Sequence, residues 1–70
     1  MVNTKLLKEK LEKSGLRTGF ICKALKISRK TFYNRVNGVY PFRTPEVEKL
    51  CELLHITSLR EKNDIFFSNQ

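Results

Sequence analysis

The stretch FICKALKISRKTFYNRVNG, residues 20–38, decides the fold of this chain. Its apolar residues recur at the spacing of helices that bury one face, and the pattern is interrupted at Lys26-Ile27-Ser28. The sequence therefore predicts two short helices joined by a tight turn. The predicted buried residues of this stretch are Ile21, Cys22, Leu25, Ile27, Phe32 and Val36.

Capping residues set the expected ends of these two helices. Thr18 is a candidate N-cap for a helix over about 19–26, and Ser28 is a strong N-cap for the next. Gly38 supplies the left-handed residue that ends a helix over about 29–37. At 1.5 Å per residue the second helix is roughly 13 Å long, comparable to the ~12 Å width of the DNA major groove.

Charge is distributed unevenly along the chain. Residues 13–45, here called the acid-free segment, hold eight Lys or Arg and no Asp or Glu, whereas the remainder holds six basic and seven acidic residues. The segment thus accounts for the whole formal net charge of +7. A basic field on a helix-turn-helix points to duplex DNA. The alternative is that the basic composition merely keeps a small protein soluble, but solubility does not require that acids be absent from one contiguous half.

Three further helices complete an expected all-α, five-helix domain over 1–70. The first is capped by Thr4 and ends at about Ser14, before Gly15. The fourth opens at Thr44-Pro45, with proline at the first helical position, and has His55 in its last turn. The last starts at Ser58, where Glu61 three residues on predicts a capping box.

Composition excludes several classes of function. No run of about 18 apolar residues could span a membrane, and the N-terminus lacks the apolar core of a secretory signal, so a cytoplasmic location is expected. Cys22 and Cys51 fall at apolar positions and are expected to be core thiols rather than a disulfide. With one His and no paired ligand spacing, no metal or other cofactor is expected. Nothing pairs His55 with a nucleophile, so we do not expect an enzyme.

The residues Ser28-Arg29-Lys30-Thr31-Phe32 through Asn37-Gly38, after Ile21-x3-Leu25-x-Ile27, resemble the helix-turn-helix of Cro/repressor (XRE-type) transcription regulators. FRTPEVEKLCELLHI at 42–56 and IFF at 65–67 are similar to a group of Cro-like phage and prophage proteins. The resemblance covers about residues 5–67. It implies a lambda-repressor-like fold and a sequence-specific regulator that binds double-stranded DNA.

Two positions depart from the family pattern. Lys26 stands in the turn where relatives often have Gly, and a non-Gly residue at positive φ costs roughly 1 kcal/mol. Arg35 stands where many relatives keep an aliphatic core residue. We expect Val36 to be buried in its place and Arg35 to face a phosphate.

The resemblance implies which side chains would contact DNA. A recognition helix presents its N-terminal half to base edges, where Arg suits guanine and Asn suits adenine. The expected base contacts are Ser28, Arg29, Lys30, Tyr33 and Asn34. Phosphate contacts come from groups around the motif. The expected phosphate contacts are Thr18, Thr31, Arg35, Asn37 and Arg43.

Exposed aromatic residues keep a second function open, a protein-binding modulator that docks on another repressor. Phe20 lies beside the buried face of its helix, and we expect it to pack on Tyr40 or Phe42, with a partner surface as the alternative. One recognition helix reads few base pairs, so we also expect a weak homodimer on an inverted repeat. Its expected surface is Ile65, Phe66 and Phe67, which could instead cover the core.

Overall fold

Five α-helices account for most of residues 2–67, the part of the chain that the computed structural model describes. They are α1 (Thr4–Ser14), α2 (Thr18–Leu25), α3 (Arg29–Val36), α4 (Thr44–Leu53) and α5 (Leu59–Phe66). No strand occurs within this range. The all-α, five-helix prediction is confirmed.

The core draws on all five helices. α2 packs against α3 and α4, and α1 packs against α3 and α5. The fold measures 27 × 24 × 20 Å. A domain this small buries little surface, so each large apolar side chain contributes a substantial share of it. The buried apolar residues are Leu7, Ile21, Cys22, Leu25, Phe32, Val36, Val47, Leu50, Ile56, Ile65 and Phe66.

The turn between α2 and α3 forms as the sequence predicts. Lys26 adopts a left-handed conformation at φ 60°. Its N–H donates to Lys23 O at 3.2 Å, and the N–H of Ile27 donates to Cys22 O at 3.1 Å. These two bonds form a Schellman motif, which satisfies carbonyls that the end of α2 leaves free. Ile27 is half-buried against the core, so the chain enters α3 at a fixed angle.

The junction of α4 and α5 uses the same turn. His55 has φ 57° and lies beyond α4, which corrects its predicted place in the last turn of that helix. Its N–H donates to Glu52 O at 3.3 Å, and the N–H of Ile56 donates to Cys51 O at 2.8 Å. Both turns carry the spacing Cys-x-x-Leu-x-Ile, at 22–27 and 51–56. In each turn the Ile packs against the core directly after the residue with the left-handed backbone.

Two predicted N-caps are displaced by one residue toward the N-terminus. Asn3 rather than Thr4 caps α1, because its side-chain oxygen accepts the N–H of Leu6 at 3.1 Å. In α2 the N-cap is Arg17, whose side chain makes no capping bond, and Thr18 is already helical. The first turn of α2 therefore has no side-chain cap.

The start of α4 also differs from its prediction. Arg43 is the N-cap, which places Thr44 and Pro45 at the first two helical positions. The Glu46 carboxylate accepts the Arg43 N–H at 3.0 Å. A proline at the second position costs nothing there, because its missing N–H would have had no helical partner.

Ser58 caps α5 as predicted. Its hydroxyl accepts the N–H of Glu61 at 3.3 Å. The Glu61 carboxylate, however, binds Lys10 Nζ of α1 at 2.6 Å. The predicted capping box is thus only half used, and its acidic member ties α5 to α1 instead.

The expected dimer surface is largely core. Ile65 and Phe66 are buried within the single chain, and only Phe67 is exposed. The Phe66 ring meets the half-buried Phe42 edge-on at a centroid distance of 5.6 Å. Phe20 also differs from its prediction, since 54% of its surface is exposed rather than packed.

Candidate nucleic-acid interface

Seven of the eight cations of the acid-free segment are exposed. Within residues 2–67 none of the seven lies within 4.0 Å of a carboxylate oxygen, whereas Lys10 and Lys49 each pair with a glutamate. Unpaired surface cations are left to interact with an anion from outside the chain. The seven are Lys13, Arg17, Lys23, Lys26, Arg29, Lys30 and Arg43.

Arg35 is the exception, because it pairs with a carboxylate of the chain itself. Its contact with a phosphate stays a prediction. Its side chain is 13% exposed and its Nε lies 3.2 Å from Oε1 of Glu46, a side chain 9% exposed. The Nε–H makes no hydrogen bond to that oxygen, so the contact is an ion pair rather than a hydrogen bond. Val36 is buried as predicted. Arg35 is three residues after the buried Phe32, so it lies beside that residue on the helix and reaches Glu46 of α4.

The same guanidinium fixes the loop after α3. Arg35 Nη1 donates to Pro41 O at 2.6 Å, and the N–H of Val39 donates to Asn34 O at 2.8 Å. Gly38 takes φ 80°, which lets the chain leave the helix there. Residues 37–43 are therefore tied to α3 by both side-chain and main-chain bonds.

The start of α3 is organised by two hydroxyls. Ser28 Oγ accepts the N–H of Thr31 at 3.1 Å and donates to Thr31 Oγ1 at 3.0 Å. The Ser28 hydroxyl thus bonds both the backbone and the side chain of Thr31. Ser28 serves first as the helix cap, and the phosphate contact expected of Thr31 stays a prediction.

Arg29 bridges the starts of α2 and α3. A Cβ added to Gly19 would lie 2.8 Å from Arg29 Nη2, so the guanidinium rests directly over that glycine. Gly19 belongs to the uncapped first turn of α2, whose N–H groups carry positive partial charge. Arg29 therefore adds a full positive charge to an end that already favours anions. The exposed guanidinium can serve a phosphate from this position as well as a base edge.

The other expected base contacts differ in exposure. Lys30 is exposed, and Tyr33 is half exposed with its ring 6.0 Å from the buried Phe32 ring. Asn34 is half-buried. Lys30 and Tyr33 can extend from α3 without rearrangement, whereas Asn34 offers only part of its amide.

The remaining expected phosphate contacts lie at helix ends. Thr18 is half-buried at the first position of α2, and Asn37 is exposed at the C-cap of α3. Arg43 shares a depression of about 550 Å³ with Lys26, Ser28 and Thr31, and the ion pair of Arg35 with Glu46 lines it too. The structure therefore brings cations and hydroxyls from the turn, from α3 and from the start of α4 to one surface.

The chemistry of the remaining polar groups is limited. Burial raises the pKa of the Cys22 and Cys51 thiols, so both stay protonated at neutral pH. Cys22 is buried as predicted, and Cys51 is half-buried against the core. Residues 2–67 contain no group of three His, Cys, Asp or Glu side chains that could hold a metal ion. None of their helices has the length and apolar character to cross a membrane.

Comparison with known proteins finds no matching family model, curated protein or solved structure. Two contacts at this surface were missed by the sequence analysis. The ion pair of Arg35 with Glu46 could have been suspected, because Glu46 is the first acid after the acid-free segment. One indication of the contact between Arg29 and Gly19 was present in the sequence, since a glycine inside a helix often permits the close approach of another group.

Proposed function

We propose that this protein is a sequence-specific, double-stranded DNA-binding transcription regulator of the Cro/repressor type from a phage or prophage. In this proposal α2, the turn at Lys26-Ile27-Ser28 and α3 act as a helix-turn-helix, with α3 in the major groove. The protein would work in the bacterial cytoplasm. The resemblance of residues 5–67 to this group supports the proposal.

The observation that carries the proposal is the set of seven exposed cations that pair with no carboxylate within residues 2–67. The one cation of the acid-free segment that turns inward, Arg35, is matched by an inward-turned Glu46. Every other charge of the segment is available to a polyanion. Since phosphate contacts supply most of the nonspecific affinity for DNA, this surface favours a nucleic acid as partner.

The size of α3 supports duplex rather than single-stranded DNA. Its eight residues span roughly 12 Å, which fits the major groove. Lys30 and Tyr33 project from it beside Arg29. A short helix with basic and polar side chains near its start is the arrangement by which such motifs read base edges.

Fluorescence anisotropy with a labelled random-sequence duplex tests the electrostatic part of the proposal. Counterion release predicts a log–log salt slope of about −0.9 per phosphate contact. The seven free cations therefore allow a slope as steep as about −6. Binding that does not change between about 50 and 200 mM salt would contradict the proposal.

Arg60 provides a matched control for this measurement. It is exposed on α5, outside the acid-free segment. Arg43→Ala should reduce the slope by about one contact, whereas Arg60→Ala should leave it unchanged. Equal effects of the two substitutions would show that net charge alone, rather than this surface, governs binding.

The exposed ring of Phe20 favours a second candidate, a modulator that binds another repressor. A DNA-shift assay with the purified chain alone separates the two candidate functions. A DNA regulator shifts duplex DNA by itself, whereas a modulator of this kind does so only when its partner is added.

A further inference from the structure

Gly19 differs from the other two glycines of the chain, because its backbone does not require glycine. Gly15 and Gly38 take φ of 70° and 80°, a left-handed conformation that residues with a side chain rarely adopt. Gly19 lies inside α2 and is not among the residues with positive φ. Within a helix Gly is less favourable than Ala, since it loses more conformational freedom on folding. The residue at position 19 therefore lowers the stability of α2 without a reason in its own backbone.

The reason lies in the space above Gly19, which the guanidinium of Arg29 fills. A Cβ added to Gly19 would lie 2.8 Å from Nη2 and 3.7 Å from Cζ of Arg29. Apart from the chain neighbours and the backbone of α2, no other described heavy atom lies within 4 Å of that Cβ. A carbon and a nitrogen that are not bonded do not approach to 2.8 Å, so a side chain at position 19 and this position of the guanidinium exclude each other.

No ion pair holds the guanidinium of Arg29 in this position. Arg29 is exposed, and within residues 2–67 no carboxylate oxygen lies within 4.0 Å of it. Its charge nevertheless acts on α2. Burial raises the pKa of the Cys22 thiol, and the positive charge of Arg29 opposes that rise. The head of the side chain thus lies against α2, although its backbone belongs to α3, and the open space above Gly19 is what permits this.

The helix on which the guanidinium lies determines which part of DNA it can meet. In a helix-turn-helix the second helix enters the major groove, whereas the first crosses the sugar–phosphate backbone. Lys30 is exposed on α3 and free to reach into the groove, but the Arg29 guanidinium lies over the first turn of α2. A guanidinium on the first helix faces the phosphates, whose oxygens match its paired N–H groups.

We propose that Gly19 is a positioning residue of the DNA-binding surface, and that it directs Arg29 to a backbone phosphate instead of a base edge. This inference rests on the proposed function. It changes the expected role of Arg29 and leaves base reading to the other side chains of α3. The glycine lowers the stability of α2, and in exchange the first residue of α3 contributes affinity that does not depend on sequence.

NMR of the free protein tests the placement without DNA. The Nε resonance of Arg29 should differ between the native chain and Gly19→Ala, because the added methyl group displaces the guanidinium. The Nε resonance of Arg60, which is exposed on α5, should be the same in both proteins. An Arg29 resonance that does not change would overturn the inference.

The salt dependence of binding to a random-sequence duplex tests the role on DNA. Arg29→Ala should reduce the log–log salt slope by about 0.9, the value of one phosphate contact. Gly19→Ala should reduce it by about the same amount, although it removes no charge. When Arg29 is already Ala, adding Gly19→Ala should have no further effect, because the group that the methyl displaces is absent. Phe20→Ala is the matched control, since Phe20 is exposed, uncharged and next in α2, and it should leave the slope unchanged.

Thermal unfolding followed by circular dichroism separates this effect from misfolding. The group that the methyl meets is the far end of a flexible side chain, so it moves aside without disturbing the backbone. Ala is also the better helix former. Gly19→Ala should therefore melt at a higher temperature than the native chain while binding DNA with a shallower salt slope. A merely structural glycine would not combine these two changes.

Three results on DNA would overturn the inference. The first is a native slope for Gly19→Ala. The second is a further reduction by Gly19→Ala when Arg29 is already Ala, which would show that the methyl group obstructs the DNA itself. The third is a loss for Arg29→Ala that is confined to one DNA sequence, which would assign the guanidinium to a base. If none of the proteins binds DNA at any salt concentration, the proposed function fails and the phosphate contact fails with it, while the Arg29 resonance still decides whether Gly19 positions the guanidinium.

Discussion

Glu46→Gln should destabilise the protein by about 3 kcal/mol, a large loss for a domain expected to hold about 4–10 kcal/mol in total. The amide oxygen of Gln can still accept the Arg43 N–H, so the start of α4 keeps its bond. What is lost is the negative charge 3.2 Å from Arg35 Nε. At an effective dielectric constant near 20 that attraction is roughly 5 kcal/mol, and we reduce it because 13% of the Arg35 side chain still reaches water.

Urea unfolding followed by circular dichroism measures the effect. Glu48→Gln is the matched control, since Glu48 is exposed two residues further along the same helix and should change stability by less than about 0.5 kcal/mol. The double variant Arg35→Met with Glu46→Gln should recover part of the loss, because it removes the unpaired buried cation while the amide oxygen still accepts the Arg43 N–H. A Glu46→Gln variant as stable as the native chain, or a double variant no more stable than Glu46→Gln alone, would refute this reasoning.

Four further outcomes are expected. Arg29→Ala should weaken DNA binding by ~1–3 kcal/mol in anisotropy titrations. If the loss is confined to one DNA sequence, Arg29 contacts a base. If the loss is equal on all sequences, Arg29 contacts a phosphate near Gly19. Lys26→Gly should raise thermal stability by up to about 1 kcal/mol because φ 60° no longer strains a side chain, and an unchanged melting temperature would argue against that strain. Phe66→Ala should cost about 3–5 kcal/mol in urea unfolding, whereas Phe67→Ala should cost less than about 1 kcal/mol; similar losses would contradict the burial difference. Burial raises the pKa of the Cys22 thiol, so above about pH 8.5 the folded chain keeps a proton that the unfolded chain releases. The free energy of unfolding should therefore fall as the pH rises above that value. In urea titrations at increasing pH, Cys22→Ala should reduce this decline.

Local signals in the sequence were sufficient for the five helices and their order. Apolar spacing identified Ile21, Leu25, Phe32 and Val36 as core, and Ser28 identified the start of α3. The caps of α1, α2 and α4 were placed one residue late. At α1 two neighbouring residues can serve as a cap, whereas the caps of α2 and α4 make no side-chain capping bond and therefore give no local signal. Only the backbone geometry decides between Asn3 and Thr4.

Long-range contacts are where the sequence was insufficient. Nothing local distinguishes Phe66, which is buried by packing on Phe42, from Phe67, which is not. The ion pair of Arg35 was missed for the same reason, since its partner Glu46 lies in another helix. The DNA contacts assigned from the resemblance remain predictions, and the structure gives Ser28 a first role as the cap of α3, because its hydroxyl accepts the Thr31 N–H.

The boundary of the acid-free segment has a physical meaning in the folded chain. An acid placed within the segment would neutralise neighbouring cations on the surface proposed for DNA. Glu46, the first acid after it, lines the same depression as Lys26 and Arg43, but its carboxylate is nearly buried, closes the start of α4 and pairs with Arg35. The pair cancels one inward charge with another and leaves the seven exposed cations undiminished. A single buried glutamate thus stabilises the junction of α3 and α4 without weakening the positive field that the proposed function requires.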